Sequence, residues 1–133
     1  MRKILVLLLM LCMLSLTGCK EVKFDEEKGV LRIGLECGYA PFNWTETEKT
    51  ETNVKIYGTT MYAEGYDIQI AKIIAEDLGY ELEVHMIEWN GLVIALKSGN
   101  IDLIIAGMSP TEERKKSIAF TDAYYTSTHV LLM

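Results

Sequence analysis

The sequence predicts an α/β fold, with helices flanking a mostly parallel sheet. Three observations carry this expectation. Leu31-Arg32-Ile33-Gly34-Leu35-Glu36 and Glu81-Leu82-Glu83-Val84-His85-Met86 alternate apolar and polar residues, the period of a strand with one wet face. Between and after them lie segments whose apolar residues recur at helical spacing. A continuous apolar run, Asp102-Leu103-Ile104-Ile105-Ala106, suits a buried strand and stops at Gly107. Strands that alternate with helices are the pattern of parallel crossover units.

Each element has a local reason. The first strand, 31–36, is broken by Gly38 and Pro41, and the polar, acidic stretch 45–53 reads as a loop. Residues 54–58 read as a short strand or hairpin arm. Gly65-Tyr66-Asp67 opens a helix for which Asp67 is the expected N-cap. Ile68, Ala71, Ala75 and Leu78 fall on one face, Ile70, Ile73 and Ile74 widen it, and Gly79 stands where a C′ glycine belongs. After the strand 81–86, a second helix is predicted over 90–97, closed by Ser98-Gly99-Asn100. The buried strand 101–106, a short helix 111–116 and a final strand 127–133 complete the order. In open parallel sheets, ligands bind beyond the carboxyl ends of the strands. Glu36 and Gly107 lie at two such ends and Trp89 follows a third, so the topology brings them to one edge.

The N-terminus carries a different signal. Arg2 and Lys3 precede an apolar run from Ile4 to Leu16, which is too short for a bilayer span of roughly 20 residues. Small residues close it, as in a secretory signal peptide. Leu16-Thr17-Gly18-Cys19 resembles the lipobox of bacterial lipoproteins. That resemblance implies a lipoprotein signal peptide over 1–18, lipidation at Cys19 and anchoring to a membrane from outside the cytoplasm. Residues 19–30 then read as a charged tether, and 31–133 as a single, incomplete lobe. Val130-Leu131-Leu132-Met133 ends the sequence on an apolar strand without a polar cap, the pattern of a protein cut short or of a gene fragment.

Composition excludes several classes. The net charge is −6, and loss of Arg2 and Lys3 with a signal peptide would take it to −8, which argues against a nucleic-acid partner. Of three cysteines, Cys12 lies in the signal and Cys19 at the lipid site. Cys37 is left as a lone buried thiol, without an internal disulfide. His85 and His129 read as structural. No metal-ligand spacing, phosphate loop or nucleophile–base pairing is visible, so neither metal, cofactor nor catalysis is expected.

The stretch from Ala106 to Lys116 gathers what a carboxylate binds. Gly107 permits close approach to the backbone. Ser109 and Pro110 precede a helix start, where N–H groups lack intrahelical partners and the dipole favours an anion. Arg114 can offer a bidentate fork. Lys115 and Lys116 read as a solvated face.

Five segments in register then resemble one family. They are Leu31-Arg32-Ile33-Gly34 with Glu36 and Tyr39-Ala40-Pro41-Phe42; Gly65-Tyr66-Asp67-Ile68-Gln69-Ile70-Ala71; Glu88-Trp89-Asn90-Gly91-Leu92-Val93; Ala106-Gly107-Met108-Ser109 through Thr111-Glu112-Glu113-Arg114-Lys115-Lys116; and Phe120-Thr121-Asp122-Ala123-Tyr124-Tyr125. Together they resemble the bacterial extracellular solute-binding proteins of family 3, the polar amino-acid receptors of ABC importers. The resemblance implies lobe 1 of a type II periplasmic-binding-protein fold, with the second lobe absent. It implies that Arg114 binds a ligand α-carboxylate, helped by the Ser109 hydroxyl and backbone. Tyr39 and Trp89 would form aromatic walls, and Glu36 would accept hydrogen bonds from a polar or basic ligand. The implied partners are a free amino acid and ABC permease subunits. With half the enclosing surface missing, the lobe alone is expected to bind weakly or not at all. Two rivals share the resemblance, a periplasmic dehydratase and the sensing domain of a membrane receptor. The stretch 45–64 is longer than the turn usual in the family and reads as an elaborated hairpin.

Overall fold

A computed structural model describes residues 29–128. The signal segment, Cys19, nearly all of the tether, His129 and most of the expected final strand lie outside the described residues. The described part of that strand, Ser127 and Thr128, is exposed and has no strand pairing.

In chain order the elements are β1 (Val30–Leu35), β2 (Gly38–Tyr39), β3 (Asn43–Glu46), β4 (Val54–Lys55), β5 (Tyr62–Glu64), α1 (Tyr66–Leu78), β6 (Glu81–Met86), α2 (Trp89–Lys97), β7 (Leu103–Ile104) and α3 (Glu112–Lys115). Three strands form a parallel sheet in the order β6-β1-β7. β1 pairs with β6 along its whole length, from Val30 opposite Glu81 to Leu35 opposite Met86. It meets β7 only at Ile33 opposite Leu103 and Gly34 opposite Ile104. The expected strand 101–106 is therefore shorter as a ladder, although Ile101, Ile105 and Ala106 are buried as the apolar run required.

Core packing explains this order. Ile33 and Leu35 on β1, Val84 on β6, Ile68 and Ala71 on α1 and Leu92 on α2 have no exposed surface. Burying one such branched side chain contributes about 1.5–3 kcal/mol. Helix α1 packs on β6, and α2 packs on β1 and β7. Gly34 lets α2 come close, because a Cβ there would strike Ile101 and lie 3.2 Å from Leu92. On the solvent side of β1, Asp102 clamps the start of the β7 segment. Its carboxylate accepts from the Arg32 backbone N–H at 2.9 Å, from Nε at 3.0 Å and from the terminal guanidinium nitrogen at 2.8 Å. Burial alone would raise the Asp102 pKa, but these bonds and the Arg32 charge outweigh it and hold the carboxyl below its ordinary range. Any stability from this shift is present above the ordinary carboxylate pKa and is lost as pH falls. Both side chains are part-exposed, so the pair contributes at most about 1 kcal/mol.

The hairpin region is more elaborate than the pattern foretold. A four-stranded antiparallel sheet, β2-β3-β5-β4, occupies 38–64. Its loop is ordered around Glu64, which accepts from Thr52 at 2.6 Å and Thr50 at 3.3 Å. Burial would raise the Glu64 pKa, yet the bonds from Thr52, the Gly65 N–H, Thr50 and Gln69 bring it down.

Helix α1 corrects two expectations. Asp67 is not its N-cap. Gly65 takes that place, and no side chain caps it. Backbone carbonyls of the hairpin serve instead: Pro41 accepts from the Tyr66 N–H at 3.2 Å and Phe42 from the Asp67 N–H at 2.9 Å. The Asp67 side chain is thereby free to turn inward. Leu78 and Ile73 are exposed, at 51% and 61%, so the buried stripe is narrower than the spacing of apolar residues implies. Gly79 does end the helix at φ 69, with Tyr80 N–H bonded back to Ala75 and Gly79 N–H to Glu76.

Two residues near this junction generate tests. Gly65 has φ 126, and a Cβ there would collide with the Phe42 carbonyl and lie 2.9 Å from the Trp44 ring. Gly65→Ala should destabilise the lobe by about 3 kcal/mol or more in urea denaturation, because the obstacle is backbone and the conformation is strained. Gly38→Ala has open space around it. It should stay within about 0.5 kcal/mol of the parent. A Gly65→Ala protein as stable as Gly38→Ala would contradict the capping arrangement.

Cys37, in the left-handed region at φ 58, is buried, and burial pushes its thiol up to about 12. Near neutral pH almost no thiolate forms. Peptide mapping after alkylation near neutral pH should show Cys37 unmodified in the folded chain and modified in denaturant. Rapid labelling of the folded chain would show that the site is open.

Candidate functional site

The carboxyl ends of the parallel strands build one edge, as topology predicted. The chain leaving β1 passes through Glu36 and the turn at Cys37 and Gly38 to reach Tyr39. Just past β6, Trp89 begins α2. The chain leaving β7 passes through buried Ala106 to Gly107. Glu36, Gly38, Tyr39, Asn43, Trp89, Ala106 and Gly107 line a cleft of about 310 Å³. Four sequence-predicted site residues, Glu36, Tyr39, Trp89 and Gly107, are thus brought together.

Gly107 suits this position through its backbone: its φ is 62, in the left-handed region, and a Cβ there would only touch the Tyr39 ring, at 3.4 Å. Tyr39 stacks on Phe42 with centroids 5.1 Å apart. Phe42 in turn meets Tyr125 edge-on at 4.9 Å. The exposed wall is therefore the first ring of an aromatic cluster that continues through Tyr66 and Tyr124.

Arg114 and Ser109 stand beside the cleft and are not among its lining residues. The Arg114 guanidinium carbon lies 5.4 Å from the centroid of the Trp89 ring. One terminal nitrogen of Arg114 donates to the Ser109 carbonyl at 3.0 Å. Stacking of this kind is worth about 0.5–1 kcal/mol at an exposed site. It holds the cation against an aromatic wall of the cleft. Helix α3 differs from the expectation of free N–H groups, because Thr111 caps it and accepts from the Arg114 N–H at 3.3 Å. The Gly107 N–H is also taken, by the Tyr124 hydroxyl at 2.9 Å. The cation at this edge is therefore the Arg114 side chain, and backbone amides contribute less than the pattern suggested.

Behind the cleft lies a group of residues that sequence reasoning missed. Asp67 is fully buried. One carboxylate oxygen accepts from Asn43 Nδ2 at 2.7 Å and the other from the Tyr124 hydroxyl at 2.8 Å. Burial raises the Asp67 pKa, although both hydrogen bonds oppose the rise. Burial also raises the Tyr124 phenol, and the hydrogen bond to Asp67 and its charge add to this. Asn43 Oδ1 is buried and has no partner among the described residues. Local sequence shows Asp67 only as a helix-start residue. Its partners are 24 and 57 residues away, a separation that no periodicity exposes.

Comparison with known proteins bears on this geometry. The model of the bacterial extracellular solute-binding proteins, family 3, matches residues 31–133. The arginine-binding extracellular protein ArtP of Bacillus subtilis is 36% identical over 135 aligned positions, covering 99% of this chain and 48% of that protein. This chain therefore spans about half the length of that relative. The arginine-bound form of domain 1 from TmArgBP is 38% identical with a TM-score of 0.58, over 72% of this chain and 67% of that one. The ancestral amino acid-binding protein AncCDT-1, described as a precursor of cyclohexadienyl dehydratase, is 34% identical with a TM-score of 0.58. That likeness covers 72% of this chain and 37% of that one. A parallel sheet flanked by helices, a cleft at its strand ends, a family match over all but the N-terminal segment and these neighbours agree. The chain has the fold of one lobe of a type II periplasmic binding protein and belongs to the bacterial extracellular solute-binding proteins, family 3.

Proposed function

We propose that this chain is the ligand-loading lobe of an extracytoplasmic amino-acid receptor for an ABC importer, and that its ligand is a cationic amino acid such as arginine. The observation that carries this reading is the cleft itself. Its lining combines an acidic group, Glu36, with two aromatic walls, Tyr39 and Trp89, and a cation, Arg114, lies beside it over the Trp89 ring. An α-amino acid with a basic side chain presents the complementary groups. Its carboxylate would pair with Arg114 near Ser109, and its backbone would pass close to Gly107. Its side-chain cation would lie against aromatic faces and reach Glu36. The similar ArtP is named as an arginine-binding protein, and the similar domain 1 structure holds arginine. The latter is a single domain with arginine bound, which supports testing this lobe by itself.

Binding is read as non-catalytic. A dehydratase would need an acid or base facing its substrate. Glu36 lines the cleft and is the candidate for such a role, but the similar ArtP is named as a binding protein and Glu36 is accounted for as the acceptor for a ligand cation. Asp67 is fully buried, with both oxygens engaged by Asn43 and Tyr124. The permease partner and the anchor at Cys19 belong to the same proposal. The lipobox pattern supports the anchor.

Calorimetric titration with arginine tests the site. Arg114→Ala should weaken binding by about 2–5 kcal/mol, since a buried carboxylate would lose its charge partner. Arg114→Lys should also bind poorly, because an ammonium has no planar fork. Lys115→Ala should bind like the parent. Equal affinities for Arg114→Ala and Lys115→Ala, or for arginine and argininamide in the parent, would refute the anchor.

The tether has its own test. Mass spectrometry of the chain expressed in a lipoprotein-processing bacterium should find Cys19 as an acylated N-terminus. Cys19→Ser should move the protein out of the membrane fraction. A chain that retains Met1 without lipid would overturn this assignment.

A further inference from the structure

We infer that Tyr124 is a positioning residue for the carboxylate-binding loop: its hydroxyl fixes the Gly107 amide, and through it the path of the chain to Ser109 and Arg114. The inference rests on the amino-acid-receptor reading only for its ligand, arginine, and not for its geometry.

A phenol has one proton to donate and lone pairs with which to accept. In Tyr124 the proton is committed to Asp67, at 2.8 Å. The Gly107 N–H can only donate, so the hydroxyl must accept there and its own proton is left for Asp67. The lone pairs are then what the hydroxyl offers to the Gly107 N–H, at 2.9 Å. The Asp67 carboxylate cannot swing to follow the loop, because its other oxygen is held by Asn43 at 2.7 Å and the residue has no exposed surface. The hydroxyl is therefore an acceptor in a fixed place, referenced to the first turn of α1.

Gly107 needs such a reference. Its exposed position follows the last buried residue after β7, and no side chain of its own can anchor it. Two residues later, the Ser109 carbonyl receives the Arg114 guanidinium at 3.0 Å. A rotation of the peptide at Gly107 would move that carbonyl, and with it the fork. The Tyr124 ring is held independently of its hydroxyl. It stacks with Tyr66 at 6.2 Å, and the Tyr66 hydroxyl donates to the Tyr124 carbonyl at 3.2 Å. Packing of this segment would be served equally by phenylalanine. The hydroxyl is what reaches the loop, at the cost of burying a carboxylate beside it.

Tyr124→Phe isolates the hydroxyl. Amide hydrogen exchange, followed by NMR without ligand, should show the Gly107 N–H exchanging about tenfold faster or more, the size expected for one lost hydrogen bond. Amides of β1 and α1 should keep their protection. In calorimetry, arginine affinity should fall about tenfold, while argininamide, which lacks the carboxylate, should change less than twofold. Asp67→Asn removes the charge that orients the phenol, and it should move both readouts the same way. It serves in place of Tyr124→Phe if that variant does not fold. Unchanged Gly107 exchange overturns the inference, and so does an equal loss for both ligands, which marks a merely structural role. A parent that binds neither ligand refutes the receptor reading, and the exchange arm still decides whether Tyr124 positions the loop.

Discussion

A carboxylate with no exposed surface holds the ligand edge of this lobe to its core. Asp67 is desolvated, and an isolated buried charge costs several kcal/mol. That cost is tolerable only when both oxygens are satisfied, so the partners of Asp67 must be in place whenever the lobe is folded. Those partners come from distant parts of the chain: Asn43 from the start of β3 and Tyr124 from the irregular segment past α3. Meeting the needs of one side chain brings together the hairpin sheet, the first turn of α1 and the C-terminal segment. The start of α1 also collects N–H groups and the positive end of the helix dipole, which favours a carboxylate there.

This constraint explains features that otherwise look unrelated. The helix is capped by hairpin carbonyls and not by its own acidic residue, because the acidic residue is needed inward. That backbone capping requires Gly65, since a side chain would strike the Phe42 carbonyl. Phe42 is held close to α1 and presents its ring to Tyr39 on one side and Tyr125 on another. The aromatic wall of the cleft is thus seated by the same contact that caps the helix. Across the sheet, the Arg32–Asp102 clamp sets where the β7 segment begins relative to β1, and hence where Gly107 emerges.

Much of the fold was legible in the sequence because its signals are periodic. The alternation in 31–36 and 81–86 and the helical spacing from Ile68 to Ala75 each report local geometry. Their order implies a parallel sheet whose strand ends share an edge. Glu36, Trp89 and Gly107 were legible for that reason, and Tyr39 only through the family resemblance. What escaped depends on long-range satisfaction of polar groups. Asp67 has the residue type and the position of an N-cap, and only the distant Asn43 and Tyr124 reveal its inward role. The antiparallel sheet was legible only as a hairpin over 45–64, because its strands are two to four residues long, too short for an apolar period to show, and its loop is stapled by Thr50, Thr52 and Glu64. Leu78 misled because apolar spacing marks a face and cannot say how far the neighbouring sheet extends beneath it.

The placement of Arg114 suits the anion-binding role proposed for it. A guanidinium has five N–H donors in one plane. In this lobe that plane is carried on the Trp89 ring and tied at one nitrogen to the Ser109 carbonyl. A stacked guanidinium gives up only weak hydration, and its side-chain freedom is already reduced before ligand arrives. The ordering cost that usually weakens an exposed ion pair is thereby moved from binding to folding. The same stacking joins the two ends of the cleft. Under the proposed reading, the Trp89 ring beside the cation would also be a wall for the ligand side chain. On the other side, Gly107 and Tyr39 line the cleft together, and Gly107 adds no side chain of its own to it. Under the receptor reading proposed here, such a lobe would read a ligand by the order of its groups, carboxylate first and cation last.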